Sequence, residues 1–115
     1  MNKFVPFFFV AVLALVGCGF FAREVRIKDV TKDETLVLKR PGAGRTTAIS
    51  ITGRGSITGK AEVQLILNGK VYRRQEISSD IRFDWGGDWY AEEAEVRYLA
   101  GTATGGTLTL RYKFR

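Results

Sequence analysis

Two runs of alternating residues flank the dipeptide Asn68-Gly69 and constrain the fold more than any other feature of this chain. In the first run, residues 61–67, every second residue is apolar, and the second run covers residues 70–77. Such alternation places the apolar side chains on one face of a β-strand. Asn-Gly strongly favours a two-residue hairpin turn because both of its residues accept positive φ. The sequence therefore predicts a β-hairpin here.

Further short runs with one apolar face recur at intervals of about ten residues, a spacing typical of all-β domains. Turn-forming glycines and prolines separate them, and no window has the 3.6-residue apolar period of a helix. We predict an all-β fold, a small antiparallel β-sandwich of about eight strands over residues 24–115, after an N-terminal signal helix. Most runs are shorter than the roughly 9–11 residues that a membrane β-barrel strand needs. The remaining runs cover residues 25–28, 35–39, 47–52, 56–58, 81–85, 94–98 and 108–114.

The N-terminus carries a targeting signal. Lys3 is followed by an uncharged stretch, residues 4–22, that is richest in apolar residues up to position 16. A positive start, an apolar stretch of about 7–15 residues and a small-residue cleavage site are typical of a secretory signal. A membrane-spanning helix needs about 20 apolar residues, which this stretch nearly provides. The end of the apolar stretch offers a third interpretation.

The tetrapeptide Leu15-Val16-Gly17-Cys18 resembles the lipobox of bacterial lipoprotein precursors. The resemblance covers the first 18 residues. It implies a signal peptide over residues 1–17, cleavage before Cys18, and Cys18 as an N-terminal residue carrying diacylglycerol and further acyl chains such as palmitate. Several acyl chains on one residue give stable anchoring. Residues 18–23 would form a tether, and in a Gram-negative host Gly19 resembles the pattern sorted to the outer membrane, facing the periplasm.

A retained transmembrane anchor is the alternative, because Phe20-Phe21-Ala22 extends the apolar run beyond Cys18. The residues that follow are rich in positive charge, at Arg23, Arg26 and Lys28. Positive charge favours the cytoplasmic side of a span, which argues against an anchor with the bulk of the chain outside. We expect a protein of the bacterial cell envelope, held to a membrane by lipid.

Composition excludes several kinds of catalytic site. The chain has no His and one Cys, so it contains no Ser-His-Asp or Cys-His nucleophile system, no Cys/His zinc site and no intramolecular disulfide. The adjacent Glu92 and Glu93 would point to opposite faces of a strand and could not flank one bond together. We predict that the protein is not an enzyme.

Residues 80–95 hold six of the 12 acidic residues, both tryptophans and Tyr90. One hypothesis is a calcium site formed by Asp84, Asp88 and Glu92, because calcium takes six to eight oxygen ligands. The spacing does not match an EF-hand loop, and the alternative is that these carboxylates lie on solvent faces and neutralise nearby basic residues. Apart from calcium, no cofactor is expected.

The aromatic residues of the same segment suggest a second hypothesis, a stacking platform for sugar. Trp85 is in phase with Ile81 and Phe83, which places it in the core. Trp89 and Tyr90 follow a glycine-containing turn and are predicted to be the exposed pair. Even for these two rings, the sequence favours ordinary packing over a binding role.

Basic residues dominate the rest of the chain, whose formal net charge is +6. Lys70 and Arg74 are predicted to share one strand face, and Arg111, Lys113 and Arg115 another. Such stripes suit anionic lipid headgroups or an acidic partner; the alternative is solubility charge that also protects sheet edges. Nucleic acid is not an expected partner for an exported chain.

These observations predict a lipid-anchored envelope protein that acts as a non-catalytic binding or scaffold module with an envelope protein as partner. The alternative is a calcium-dependent or carbohydrate-binding module that uses residues 84–92. The sequence specifies neither an oligomeric state nor a strand order.

Overall fold

The computed structural model describes residues 22–115, which form an antiparallel all-β fold. The predicted signal peptide, its helix and Cys18 lie outside the described residues, and the predicted tether overlaps the first strand at Arg23. Within residues 22–115 there is no helix of the length and apolarity needed to cross a membrane. The six strands are β1 (Arg23–Arg26), β2 (Glu34–Lys39), β3 (Ala48–Leu67), β4 (Lys70–Asp88), β5 (Glu93–Leu99) and β6 (Gly105–Phe114).

The long hairpin of β3 and β4 runs through both layers of the fold. The first half of β3 pairs with β6 and with the second half of β4, and β1 extends this layer beyond β6. The second half of β3 pairs with β5 and with the first half of β4, and β2 extends that layer beyond β5. We call the two layers sheet 1 and sheet 2. Apolar side chains from both form one buried cluster between them.

The change from sheet 1 to sheet 2 occurs at a bend near Gly59. The β3–β4 register shifts between Ile57 and Lys60, and Gly59 has φ of +96°. A Cβ atom at this position would overlap the carbonyl oxygen of Thr102. On the facing strand at the same bend, Ser79 of β4, which pairs with Ile57, also adopts a positive φ, of 54°. A β-bulge of this kind turns a strand sharply, so the continuous sheet folds back on itself at this point.

The structure confirms an all-β fold but contains six strands among its described residues, rather than about eight. Three predicted runs merge into β3 and two into β4. The prediction placed a break at Gly53, whereas Gly53 lies inside β3 and pairs with Phe83 and Leu110. A Cβ at Gly53 would overlap the Phe83 ring. Here the glycine makes room for an aromatic side chain across the ladder and does not end the strand.

The predicted Asn68-Gly69 hairpin is confirmed. Both turn residues have positive φ, 53° and 77°, and Leu67 pairs with Lys70 across the turn. This turn therefore fixes the register with which β3 and β4 begin to pair.

Tyr98 of β5 is the largest fully buried side chain and connects β5 to the β1–β2 loop. Its hydroxyl donates a hydrogen bond of 2.6 Å to the carbonyl oxygen of Val30. Burial raises the pKa of the Tyr98 phenol, and the carboxylates of Asp33 and Asp29 raise it further. Tyr98 thus stays protonated and remains a hydrogen-bond donor in the folded protein.

The end of the sandwich opposite the bend, here called the open end, carries the Asn68-Gly69 turn and the connections 40–47 and 89–92. Backbone hydrogen bonds hold these connections together. Trp89 donates its amide to the Thr47 carbonyl at 3.0 Å, and Arg40 donates its amide to the Glu92 carbonyl at 2.9 Å. The open end is therefore an ordered surface.

Candidate functional site at the open end

Trp89 is buried at the open end, with 4% of its surface exposed. Its indole Nε1–H donates a hydrogen bond of 2.9 Å to the Glu93 carbonyl. Its ring packs edge to face against the Tyr72 ring, with the two ring centres 6.1 Å apart. The sequence-based prediction of an exposed Trp89 differs from this arrangement. A buried indole needs an acceptor for its N–H, and the β4–β5 connection curls so that Glu93 supplies one. Trp89 therefore closes the end of the core.

Tyr90, the next residue, is 74% exposed. The two aromatic side chains are thus separated, one in the core and one in solvent, and they do not form a two-ring platform. Trp85 is buried in contact with Phe83, as its phase in the sequence predicts. A sugar ring could stack only on Tyr90 in this segment.

The three carboxylates predicted to bind calcium lie on different elements. Asp84 lies on the outer face of sheet 1, where it accepts a hydrogen bond of 2.5 Å from Thr52. Asp88 ends β4, and Glu92 lies in the connection to β5. Among residues 22–115, no group of three or more His, Cys, Asp or Glu side chains could hold a metal ion. The structure does not bring the predicted calcium ligands together.

Neighbouring basic residues neutralise other carboxylates of the same segment. Glu93 lies 3.9 Å from Lys39, and Glu95 lies 2.6 Å from Arg97. These pairs lie on the outer face of sheet 2, whereas Asp84 lies on that of sheet 1. The acidic segment is therefore dispersed over the surface, because alternation and the passage from β4 in sheet 1 to β5 in sheet 2 distribute its residues over several faces.

The basic residues predicted to form stripes also separate. Lys70 pairs with Leu67, on the core side of β3, whereas Arg74 pairs with Gln64, on the outer side. A register shift at Tyr72 causes this difference, because one extra residue in β4 reverses the alternation. Arg111 and Lys113 do share the outer face of sheet 1, and Arg115 follows β6.

An exposed apolar patch at the open end was not predicted from the sequence. Val37 and Val71 lie in one row across the outer face of sheet 2, with Glu95 and Ile66 between them. Ile66 is only 4% exposed although it lies on the outer face. The run Leu65-Ile66-Leu67, in which apolar residues no longer alternate with polar ones, is the sequence feature that could have indicated an apolar residue on the outer face. The open-end patch consists of Val37, Ile66, Val71, Tyr72 and Tyr90.

The four large apolar side chains that are exposed within residues 22–115 all belong to this patch. A groove of about 270 Å³ runs through it, with Val37, Ile66 and Ala91 among its apolar lining. The carboxylates of Glu93 and Glu95 line the same groove. The arrangement is an apolar surface with one carboxylate, Glu95, inside it and another, Glu93, beside it.

Comparisons with known proteins identify the fold. No protein-family model matches the chain, and no curated protein sequence matches it either. The chain is similar in structure to PliG of Aeromonas hydrophila, a periplasmic inhibitor of g-type lysozyme, with a TM-score of 0.52 and 9% identity. That match covers 84% of this chain and 89% of PliG.

A second similar structure is PirA, with a TM-score of 0.51 and 10% identity over 83% of this chain and 94% of PirA. A carbohydrate-binding module, CBM36 in complex with calcium and xylotriose, is less similar. Its TM-score is 0.40 and its identity 14%, over 83% of this chain and 88% of the module. PliG and PirA therefore share the fold of this protein.

Proposed function

We propose that this protein is a lipid-anchored protein of the bacterial envelope that acts as a non-catalytic binding module, and that the open-end patch contacts a protein partner. The observation that carries the proposal is that the exposed large apolar side chains of residues 22–115 gather at the open end. Single exposed apolar residues are common on protein surfaces. A contiguous apolar patch bordered by charge is typical of an interaction site.

The composition of the patch suits a protein partner. Tyrosines are enriched in interfaces because the ring supplies apolar area and the hydroxyl a hydrogen bond. The Tyr90 side chain is largely exposed to solvent. The neighbouring Trp89 is buried, and its hydrogen bond to the Glu93 carbonyl holds the β4–β5 connection in place. Tyr72 contacts the Trp89 ring, and the guanidinium of Arg73 lies 5.8 Å from the centre of the Tyr72 ring. A surface held in this way loses little conformational entropy on binding.

PliG provides an example of this fold in a periplasmic protein that inhibits another protein. The likeness concerns the fold, and the proposed role of this chain depends on its own patch and on the lipobox resemblance at Cys18. The carbohydrate-binding alternative would have Tyr90 as its exposed ring.

The anchor is tested at Cys18. Cys18→Ala is expected to abolish incorporation of labelled palmitate and to leave the precursor uncleaved, because the thiol is the proposed lipid acceptor. Gly19→Ala, a change of similar size at the next residue, should leave labelling intact. Metabolic labelling and membrane fractionation provide the measurement. A wild-type protein that fractionates with membranes but takes up no label would contradict the lipid anchor and favour a transmembrane span.

The partner contact is tested by placing a photo-cross-linking amino acid at Tyr90 in the full chain in cells. One discrete protein adduct is expected, and Val37→Asp should reduce its yield about tenfold or more, because replacing an apolar contact of the interface with a charge costs at least about 1.4 kcal/mol. Thr35→Asp is the matched control, since Thr35 lies on the same face of the same strand, farther from the open end.

Equal adduct yields from the Val37→Asp and Thr35→Asp proteins would contradict the proposed contact. Adducts with cell-wall glycan in place of protein would favour the carbohydrate-binding alternative. A cross-linker at Thr102, at the bend, reports the background from random encounters.

A further inference from the structure

A second groove, of about 280 Å³, lies on the outer face of sheet 1, on the opposite side of the molecule from the sheet 2 face that carries Val37. Among residues 22–115, cationic and hydroxyl-bearing side chains line this groove together with Ala22, and no carboxylate does. They are Ser50, Thr52, Arg54, Arg111, Tyr112 and Lys113.

The strand register explains why these groups converge. Ser50 pairs with Lys113 and Thr52 pairs with Arg111, so hydroxyls of β3 stand beside cations of β6 on the same face. Arg54 is fixed at the wall of the groove, because its Nη1 donates to the Gly53 carbonyl at 2.8 Å. The groove therefore combines at least one anchored guanidinium, that of Arg54, with the exposed guanidinium of Arg111.

Positive charge is concentrated beside this groove. Arg54 pairs directly with Arg82 on one side, and on the other side Thr109 separates it from Arg26. Like charges on opposed strand positions destabilise a sheet. Within residues 22–115, no ion pair joins these three arginines to a carboxylate. An anion bound on this face would relieve their mutual repulsion.

Two carboxylates lie near the groove and limit its charge. Glu24 is 3.7 Å from Nε of Arg111, and Asp84 accepts a hydrogen bond from the hydroxyl of Thr52. The lining holds three cationic side chains, and these two carboxylates offset part of their charge. The remaining positive charge suits a phosphate, which guanidinium groups bind through two parallel hydrogen bonds.

The path of the chain identifies where such a phosphate would come from. Ala22, the first described residue, lines this groove. Cys18 lies four residues earlier, and four residues span at most about 14 Å. If Cys18 carries the lipid anchor, as the proposed function states, the groove cannot lie far from the membrane surface.

We propose that this groove binds the phosphate of anionic phospholipid headgroups, so that the outer face of sheet 1 lies on the membrane. The inference rests on the proposed anchor and adds an orientation to it. The outer face of sheet 2, with Val37 and the apolar groove, then points away from the lipid and toward a partner.

The test uses residues 22–115, the part of the chain that the structure describes, which contains the buried core cluster and lacks the anchor. Sedimentation with vesicles containing phosphatidylglycerol should retain the protein, whereas vesicles of phosphatidylcholine alone should not. The double variant Arg54→Gln/Arg111→Gln is expected to lower the partition coefficient about 30-fold, the effect of removing two cations near an anionic surface. Circular dichroism checks that each variant is folded.

The control variant is Lys39→Gln/Arg74→Gln, which removes the same charge from sheet 2. It should change partitioning by no more than about twofold, because its side chains face away from the lipid and are screened. Equal losses in both double variants would overturn the inference, since net charge alone would then explain binding. Equal retention by both vesicle types, or binding of inorganic phosphate without any vesicle preference, would also overturn it.

This experiment is independent of Cys18. A failure of vesicle binding would leave the labelling test of the anchor unaffected. A failure of palmitate labelling would contradict the proposed lipid anchor and would leave the vesicle result unaffected.

Discussion

Trp89→Ala is expected to lower the free energy of unfolding by about 3–5 kcal/mol, the cost of removing a large buried aromatic side chain. The change opens a cavity at the end of the core and removes the edge-to-face contact with Tyr72. It also leaves the Glu93 carbonyl without the indole donor. Because small domains are stable by only about 5–15 kcal/mol, the variant would retain a small margin. Urea denaturation followed by circular dichroism provides the measurement.

Tyr90→Ala is the matched control, an aromatic residue one position away that is largely in solvent. We expect its stability to stay within about 0.5 kcal/mol of wild type. Comparable losses at both positions would contradict the assignment of Trp89 to the core and Tyr90 to the surface. A Trp89→Ala protein of wild-type stability that no longer binds glycan would restore the stacking role predicted from the sequence.

Gly53→Ala is expected to destabilise the protein by about 1–3 kcal/mol, the usual cost of forcing extra volume into a packed interior. The added methyl group would overlap the ring of Phe83, which is buried and also contacts Trp85. A ring in this position cannot move aside without displacing its neighbours. Thermal or urea unfolding measures the loss.

Gly105→Ala is the control for this change, because nothing lies within 4 Å of the position that its methyl group would occupy. It should be neutral within about 0.5 kcal/mol. Combining Gly53→Ala with Phe83→Leu should cost less than the sum of the two single changes, since the smaller side chain relieves the overlap. Strict additivity would show that the ring does not account for the requirement for glycine at position 53.

Much of the strand structure was predictable because alternation and turn chemistry act locally. The Asn68-Gly69 turn and the apolar face of residues 61–67 gave the hairpin correctly. The strand count was wrong because Gly53 and its neighbours were interpreted as breaks. Whether a glycine ends a strand or accommodates a ring depends on Phe83, 30 positions away, and a local pattern does not contain that information.

The site was less predictable than the fold. The position of Trp89 depends on an acceptor four residues later, and its neighbour Tyr72 comes from the other half of the hairpin. The expected stripe of Lys70 and Arg74 assumed uninterrupted alternation, which the extra residue at Tyr72 breaks. Both differences arise from tertiary contacts and from one irregularity in pairing.

The shared hairpin also determines how the two layers can move. Because β3 and β4 both continue through the bend, the two layers share the same two strands and are joined there by paired backbone. Pairing lost in one layer deprives the other of a continuous central strand, so unfolding should proceed as a single cooperative event. A partner that binds at the open end would contact a preorganised surface. Its affinity would then depend on shape complementarity, with little free energy spent on rearranging this protein.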